Sequence, residues 1–378
     1  MSSDMEKSGP KHIEISRQLR ANIASGKYGV EGRMPSEAQL VARFGVSRPT
    51  VAQALRTLET EGLVERRVGA GTFAKSAGNA RGGSGAMVLA LLIPDLGNTE
   101  IFQLIGGEIA SLARVHNFTL AWGGSAHPRL DPDLSLRHAE ELCRQFIERR
   151  VSGVFFAPYE LVAEKEEANR RMAEMLREAG IPVVLLDRDI ALFPTRSDFD
   201  VVGIDNFAGG YLLAEHLLKL GCKRLHFVAR PRSAPTVDAR IAGVREALAR
   251  RGTEPAPGWV RIGEMTDKRF LRNLTTAPLP DAFLCANEHT AALLLRALHD
   301  ARVRVPDKVR VVGFDDVKFA TLVSPPLTTA QQPCREIALT AFRAMLDRQA
   351  DPTLPARHLT LAPRLIVRDS CGAYPSRR

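Results

Sequence analysis

From residue 87 onward, eight apolar, β-rich runs (MVLALLI, FTLAW, GVFFA, PVVLLD, DVVGID, RLHFVA, DAFLCA and VRVVGF) alternate with amphipathic stretches of helical period. Such alternation leaves few folds open, because a strand followed by a helix returns to its own sheet in parallel. Strands buried on both faces read as unbroken apolar runs, and these lack the every-second-residue polarity of a half-exposed sheet. The expectation is an α/β domain with parallel sheets over residues 87–372. The irregular stretch RDIALFPTRSDFD, residues 188–200, breaks the pattern with a proline and mixed charge. It is read as the place where the chain passes from one α/β lobe to another.

Ahead of this domain the composition changes. Residues 76–86, within AKSAGNARGGSGA, are small and glycine-rich without periodicity, which predicts a flexible linker. Residues 1–10 read as a disordered tail. In residues 11–75 the pattern is helical and short. Ser36 opens Ser-Glu-Ala-Gln, a capping-box spacing that predicts a helix from Glu37 to Phe44, ended by Gly45. Ser47 caps a second helix with Pro49 in its first turn, and Gly62 stops it. Val51, Ala54, Leu55 and Leu58 form its buried stripe, and Ile13, Leu19 and Ile23 on an upstream helix close a three-helix core. LVERR and GTFA flank the turn VGAG as a two-stranded wing.

The other face of the second helix carries Arg48, Pro49, Thr50, Gln53, Arg56 and Thr57. Hydrogen-bonding side chains so placed suit base edges and phosphates in a major groove. Ser36, Ser47, Arg66, Arg67 and Gly69 complete the candidate DNA-binding set. Charge agrees: the chain carries a formal +9, and residues 1–76 hold 12 basic against 8 acidic side chains, which favours a polyanionic partner. No run approaches the roughly 20 apolar residues of a membrane span, and MSSDMEKSGP has no apolar core of a signal peptide. A cytoplasmic protein with no membrane partner is expected. Five scattered cysteines, Cys143, Cys222, Cys285, Cys334 and Cys371, show no metal-ligand spacing and read as reduced thiols.

MPSEAQLVARFGVSRPTVAQALRTLETEGLVERRVGAGTFA resembles the winged helix-turn-helix of the GntR family of bacterial transcription regulators, over roughly residues 11–75. The strings PSE, FGVSR, EGLVERR and GTF carry the likeness. Ala38 and Ala52 stand where family members usually have arginines that contact DNA, so the resemblance implies that Arg48 reads more of an operator unlike the commonest one. Residues 87 to about 370 resemble the effector domain of the LacI/GalR repressors, which shares the two-lobed fold of type I periplasmic sugar-binding proteins. LALLIPDLGN, GIPVVLLDR, VGIDNFAGGYLLAEHLL, DARIAGVREAL, VPDKVRVVGFDDVKFA and SPPLTTAQQP carry that likeness. The pairing is similar to the arabinose-repressor branch. It implies a homodimeric regulator, expected to be a repressor, that binds operator double-stranded DNA under control of a small effector, a sugar.

In an open α/β sheet a ligand lies beyond the carboxyl ends of the strands. The candidate effector-binding residues are therefore Asp95, Asn98 and Phe102 after the first run, Trp122 after the second, Tyr159 after the third, and Asp187 with Arg188 after the fourth. Asp205, Arg230, Asn287, Glu288 and Asp315 follow the later runs. Sugar hydroxyls take paired hydrogen bonds from Asp, Asn and Arg, and a sugar's apolar face stacks on an aromatic. Plainer readings stand beside these: Asp205 as a helix cap, Asp187 and Arg188 as a hinge ion pair, Trp122 as core, Asp315 and Asp316 as a hinge tie. Arg240, in DARIAGV, matches the arginine with which the resembled proteins grip effector, and Glu288 stands where they usually have aspartate. A purine or nucleoside effector is the alternative within the same architecture. A pyridoxal-phosphate-type, enzyme-like regulator is the other, against which no lysine stands at a strand end in a cofactor motif. No catalytic residues, cofactor or metal are expected.

Overall fold

The computed structural model describes residues 11–24, 28, 34–60, 63–67, 71–74, 87–93, 100–123 and 132–374. The chain divides into two compact units, Met1–Gly85 and Ala86–Arg378. The expected tail and linker, with Gly62, Gly69, Asp95 and Asn98, lie outside the described residues.

In the first unit, α1 (Lys11–Ala24), α2 (Glu37–Phe44) and α3 (Arg48–Thr60) precede β1 (Val64–Arg67) and β2 (Gly71–Ala74). The capping box sets the start of α2: Ser36 Oγ accepts the Gln39 N–H at 3.3 Å, and Gln39 Oε1 accepts the Ser36 N–H at 2.8 Å. Gly45, at φ 62°, ends it by returning its N–H to the Val41 carbonyl. Val51, Ala54, Leu55 and Leu58 of α3 are buried against Leu40 of α2 and against Ile15 and Leu19 of α1. The upstream helix thus differs from expectation. Ile15, Leu19 and the half-buried Ile23 form its inner stripe, while Ile13 is 55% exposed. Two residues are roughly 200° of helical turn, which puts Ile13 on the opposite side from Ile15. The wing is antiparallel with Arg67 opposite Gly71, and the Met34 N–H donates to Thr72 O at 2.9 Å.

The second unit is two-lobed. One lobe is built from β3 (Val88–Leu92), β4 (Thr119–Gly123), β5 (Gly153–Phe156), β6 (Val183–Leu186) and β7 (Asp200–Ile204), with α4 (Glu100–Val115), α5 (Pro132–Glu148) and α6 (Lys165–Glu178) between them. The other contains α7 (Asn206–Lys219), β8 (Leu225–Ala229), α8 (Pro235–Arg250), β9 (Val260–Ile262), α9 (Lys268–Thr275), β10 (Ala282–Cys285), α10 (Glu288–Asp300), β11 (Arg310–Asp315), α11 (Phe319–Leu322) and β12 (Thr328–Gln331). Next come α12 (Cys334–Ala350), β13 (His358–Leu361) and β14 (Arg364–Ile366). Among the described residues the sheet orders are β13-β7-β6-β5-β3-β4 and β14-β12-β11-β10-β8-β9. Every pairing is parallel except that of β14 with β12. Every residue of β5, β6, β7 and β10 is buried, which is why these strands read as unbroken apolar runs.

The chain crosses between lobes at Asp205, at Gln332–Pro333 and between Leu361 and Arg364. Residues 188–200 are not a crossing, contrary to the sequence reading. They join β6 to β7, neighbours in one sheet with Leu185 beside Val201, and Asp189 folds the segment back by accepting the N–H groups of Ala191 and Ser197. No described helix is long and apolar enough to cross a membrane.

Candidate functional site

The exposed face of α3 is polar along its length. Arg48, Pro49, Gln53 and Arg56 are exposed, and Thr50 and Thr57 are half-buried. Ser47 Oγ and Thr50 Oγ1 lie 2.8 Å apart and fix the first turn. Arg48 begins the helix with its side chain 80% exposed, and its Nε meets Glu37 Oε2 at 3.3 Å. An exposed pair of this kind contributes under about 1 kcal/mol, so it steers the guanidinium without withholding it from a phosphate or base. Glu37 went unnoticed in the sequence because it reads only as part of the capping box. Ser36 serves as the cap of α2. Arg66 and Arg67 lie on β1, with Arg67 at the turn end of the wing.

A polar cleft lies between the two lobes of the second unit. Asp187 and Arg188, following β6, and Glu160, following β5, line it from one lobe. Arg240 of α8, Asn287 ahead of α10 and Asp315 at the end of β11 line it from the other, with Gln332 at a crossing. Strand C-termini converge here, as an open parallel sheet requires. Arg240 is 5% exposed; its guanidinium carbon sits 3.6 Å from the centre of the Phe314 ring, its Nε donates to Asn206 Oδ1 at 2.8 Å, and its Nη1 donates to the Ala286 carbonyl. Burial lowers its pKa, and Asp315 and Asp187 oppose that by favouring the charge. Arg188, also 5% exposed, pairs with Glu160 at 3.2 Å and lies over Phe102. Asp187 sits at φ 70°, its Oδ1 buried with no hydrogen-bond partner, and burial raises its pKa. A buried acceptor left open on a cleft wall is an acceptor for a ligand hydroxyl.

The remaining candidates stand elsewhere. Phe102 is fully buried core beneath Arg188. Trp122 is 44% exposed on the edge strand β4, with its ring against Gly106 of α4. Asp205 caps α7 by accepting the Ala208 N–H at 2.8 Å. Arg230 meets Glu264 at 3.4 Å, and Tyr159 borders a neighbouring hollow beside Lys165 and Leu192. Glu288 turns away from the cleft: 1% exposed, it accepts the N–H groups of Asp316 at 2.7 Å and Val317 at 2.9 Å. Asp315 and Asp316 have φ 115° and 60°, a strained pair for non-glycine residues, and the Glu288 carboxylate holds that turn. The longer side chain therefore reaches backbone, not ligand. Gln332 and Glu160, which line the cleft, were missed from sequence. Gln332 follows a strand that reads as polar, and Glu160 hides behind Tyr159.

Glu288 and Asp315 couple the site to pH. Burial, with Asp315 next, pushes Glu288 up to about 8; burial raises Asp315 to about 7 against the pull of Arg240. Both lie above their unfolded values, so the folded chain holds protons that the unfolded chain has released. The stability they contribute is complete below about pH 4 and is lost as pH rises through 7 and 8. Thermal unfolding of the ligand-free chain is expected to shift to lower temperature between pH 5.5 and 8.5, and Glu288→Gln to flatten that trend. An unchanged slope in the variant would assign the dependence to other groups. Among the described residues, no group of His, Cys, Asp and Glu is arranged to hold a metal ion.

Residues 12–74 match the gntR family of bacterial regulatory proteins, and residues 214–371 match the periplasmic binding protein-like domain. The chain is 25% identical over 377 residues to the arabinose metabolism transcriptional repressor of Geobacillus stearothermophilus, covering 97% of this chain and 98% of that one. It is 30% identical over 273 residues to the HTH-type transcriptional regulator CelR of Thermobifida fusca, covering 71% of this chain and 74% of that one. A transcriptional regulator CelR-cellobiose complex superposes with a TM-score of 0.64 at 23% identity, over 89% of this chain and 100% of that one.

Proposed function

Because the chain belongs to the bacterial transcriptional regulators that join a DNA-binding head to a LacI-like, periplasmic-binding-protein-like domain, we propose that it is a repressor controlled by a monosaccharide. The observation that carries this reading is Arg240, laid on Phe314 and facing Asp187 and Asp315 in the cleft. Sugar hydroxyls both donate and accept, and the carboxylates, the Asn287 and Gln332 amides and the guanidinium edges answer them in both senses. The relatives named for arabinose and solved with cellobiose support a sugar class. The protein acts in the cytoplasm, where its DNA lies, as a homodimer, since a single α3 reads only a short half-site. It performs no catalysis.

Titration of operator DNA with the full chain is expected to saturate at two chains per duplex and to shift at least tenfold on adding the cognate pentose or hexose. Adenosine should leave it unmoved. Arg48→Ala is expected to narrow the gap between operator and random DNA by about 1–3 kcal/mol, as for loss of one bidentate base contact. Arg67→Ala should instead weaken both equally and lower the salt slope by about one. Equal losses on both DNAs for Arg48→Ala would overturn its base-reading role, and a response to adenosine alone would overturn the sugar.

A further inference from the structure

The crossings at Asp205, Gln332 and 362–363 gather on one side of the cleft, at the β13–β7 side of one sheet and the β14–β12 side of the other. Away from them, the loop after β5 and the loop after β8 touch directly. The Leu161 N–H donates to Arg232 O at 2.9 Å. Lys165 Nζ donates to the same carbonyl at 2.7 Å and to Ser233 O at 2.9 Å, and Lys165 is only 8% exposed. Glu160 Oε2 accepts the Ala234 N–H at 3.1 Å while pairing with Arg188 at 3.2 Å. Leu161 and Arg232 have φ 65° and 58°, left-handed values that are unfavourable for non-glycine residues and persist where surrounding contacts over-determine them. On another face of the cleft, Lys318 meets Glu100 at 2.9 Å, but with Lys318 65% exposed that pair contributes little.

We propose that Lys165 and Glu160 form a clasp, made wholly of protein atoms, that holds the lobes together without ligand and sets how long a bound ligand stays. Lys165 brings a desolvated ammonium onto two carbonyls of the opposite lobe, and charged hydrogen bonds of this kind are about twice as strong as neutral ones. Glu160 joins the clasp to Arg188 on the cleft wall, so a ligand that engages Arg188 acts on the same carboxylate that holds Ala234. Both residues position the lobes and need not touch the ligand. A ligand must part the clasp to leave, whereas entry uses whichever molecules are already open, so removing the clasp speeds escape.

The clasp itself is tested without ligand, by hydrogen–deuterium exchange on the full chain. The Leu161 and Ala234 amides are expected to exchange at least tenfold faster in Lys165→Met than in the parent, with the β5 and β8 amides unchanged. Lys165→Arg, which restores donors, should recover most of the protection, and Glu160→Ala should release Ala234. Equal exchange of these amides in parent and Lys165→Met overturns the clasp. If Lys165→Met loosens its whole lobe, Glu160→Ala decides: retained protection at Ala234 overturns the proposal, and selective loss upholds it. The ligand arm rests on the sugar reading of the cleft, with ribose, arabinose and xylose as probes. Dissociation of the sugar that binds is expected to quicken about tenfold in Lys165→Met with no loss in association rate, and a change confined to association counts against the clasp. Should none of the sugars bind the parent, the sugar reading falls, while the exchange result still decides the clasp.

Discussion

Arg240→Met is expected to weaken sugar binding by at least a hundredfold while leaving operator affinity within about threefold. Methionine keeps much of the apolar stem but removes the guanidinium from Phe314, Asn206 and Ala286. Deleting a charged hydrogen bond costs about 1.5–3 kcal/mol, and stripping one partner from a buried charge cluster costs about 3–5 kcal/mol, because the charges left behind lose their compensation. Asp315 and Asp187 are those charges. Burial already raises both; the arginines oppose it, joined at Asp315 by a hydrogen bond from Gln332, so without Arg240 the two carboxyls answer by taking up protons. A cleft whose carboxyls are protonated presents fewer acceptors to sugar hydroxyls, which compounds the direct loss. The head has its own core around Leu19, Leu40 and Leu55 and contains none of these groups, so DNA affinity should persist. Calorimetry with the cognate sugar, beside operator titration on the same variant, separates the two. If R240M responds to sugar as the parent does, Arg240 is not at the binding site.

What the sequence made legible follows from how local the determining forces are. The capping box, Gly45 and the Val51–Leu58 stripe act within one or two turns, and α2 and α3 fall where those signals put them. Asp187, Arg188, Asn287 and Asp315 meet in one cleft because parallel strands all end on one side, a consequence of topology that apolar runs already announce, whereas Arg240, inside α8, was legible only through the family resemblance of DARIAGV. Strands fixed by distant partners were not legible. β12 reads as the polar string TTAQ, yet Thr328 and Thr329 are fully buried; Thr328 Oγ1 donates to Arg368 O and accepts the Arg368 N–H, a partner 40 residues away. β13 and β14 are short and carry His358 and Arg364 in place of an apolar run. The direction of Glu288 was hidden for a related reason. Its position ahead of a helix is readable, but the strained turn at Asp315–Asp316 that draws its carboxylate inward exists only in the folded chain. Residues 188–200 misled because irregular composition marks a loop without saying which strands it joins.

Gly243→Ala and Gly210→Ala carry the second large effect, with a sign opposite to ordinary helix propensity. An added methyl in a helix interior usually stabilises by about 1 kcal/mol, because alanine loses less backbone freedom than glycine. At these two positions α7 and α8 meet backbone to backbone. A Cβ on Gly243 would stand 2.0 Å from the Phe207 carbonyl oxygen and 2.8 Å from the Tyr211 nitrogen, and one on Gly210 would stand 2.0 Å from the Arg240 carbonyl oxygen. Neither obstacle is a side-chain tip that swings aside, so the helices must separate. Overpacking costs about 1–3 kcal/mol where side chains yield, and backbone contact puts these variants at about 3 kcal/mol or beyond. For a unit of this size that lowers the melting temperature by roughly 6 °C or more. The damage also reaches the site, because Arg240 on α8 bonds Asn206 on α7 at 2.8 Å and a shift of the helices breaks that bond. Sugar affinity should fall with stability in both variants, and most in Gly210→Ala, whose methyl presses on the backbone of Arg240 itself. Gly107→Ala on α4 is the control: its added Cβ meets nothing within 4 Å, so the variant is expected to melt slightly higher and bind sugar normally. If all three substitutions stabilise alike, α7 and α8 do not touch through their backbones, and the support inferred for Arg240 is lost with that contact.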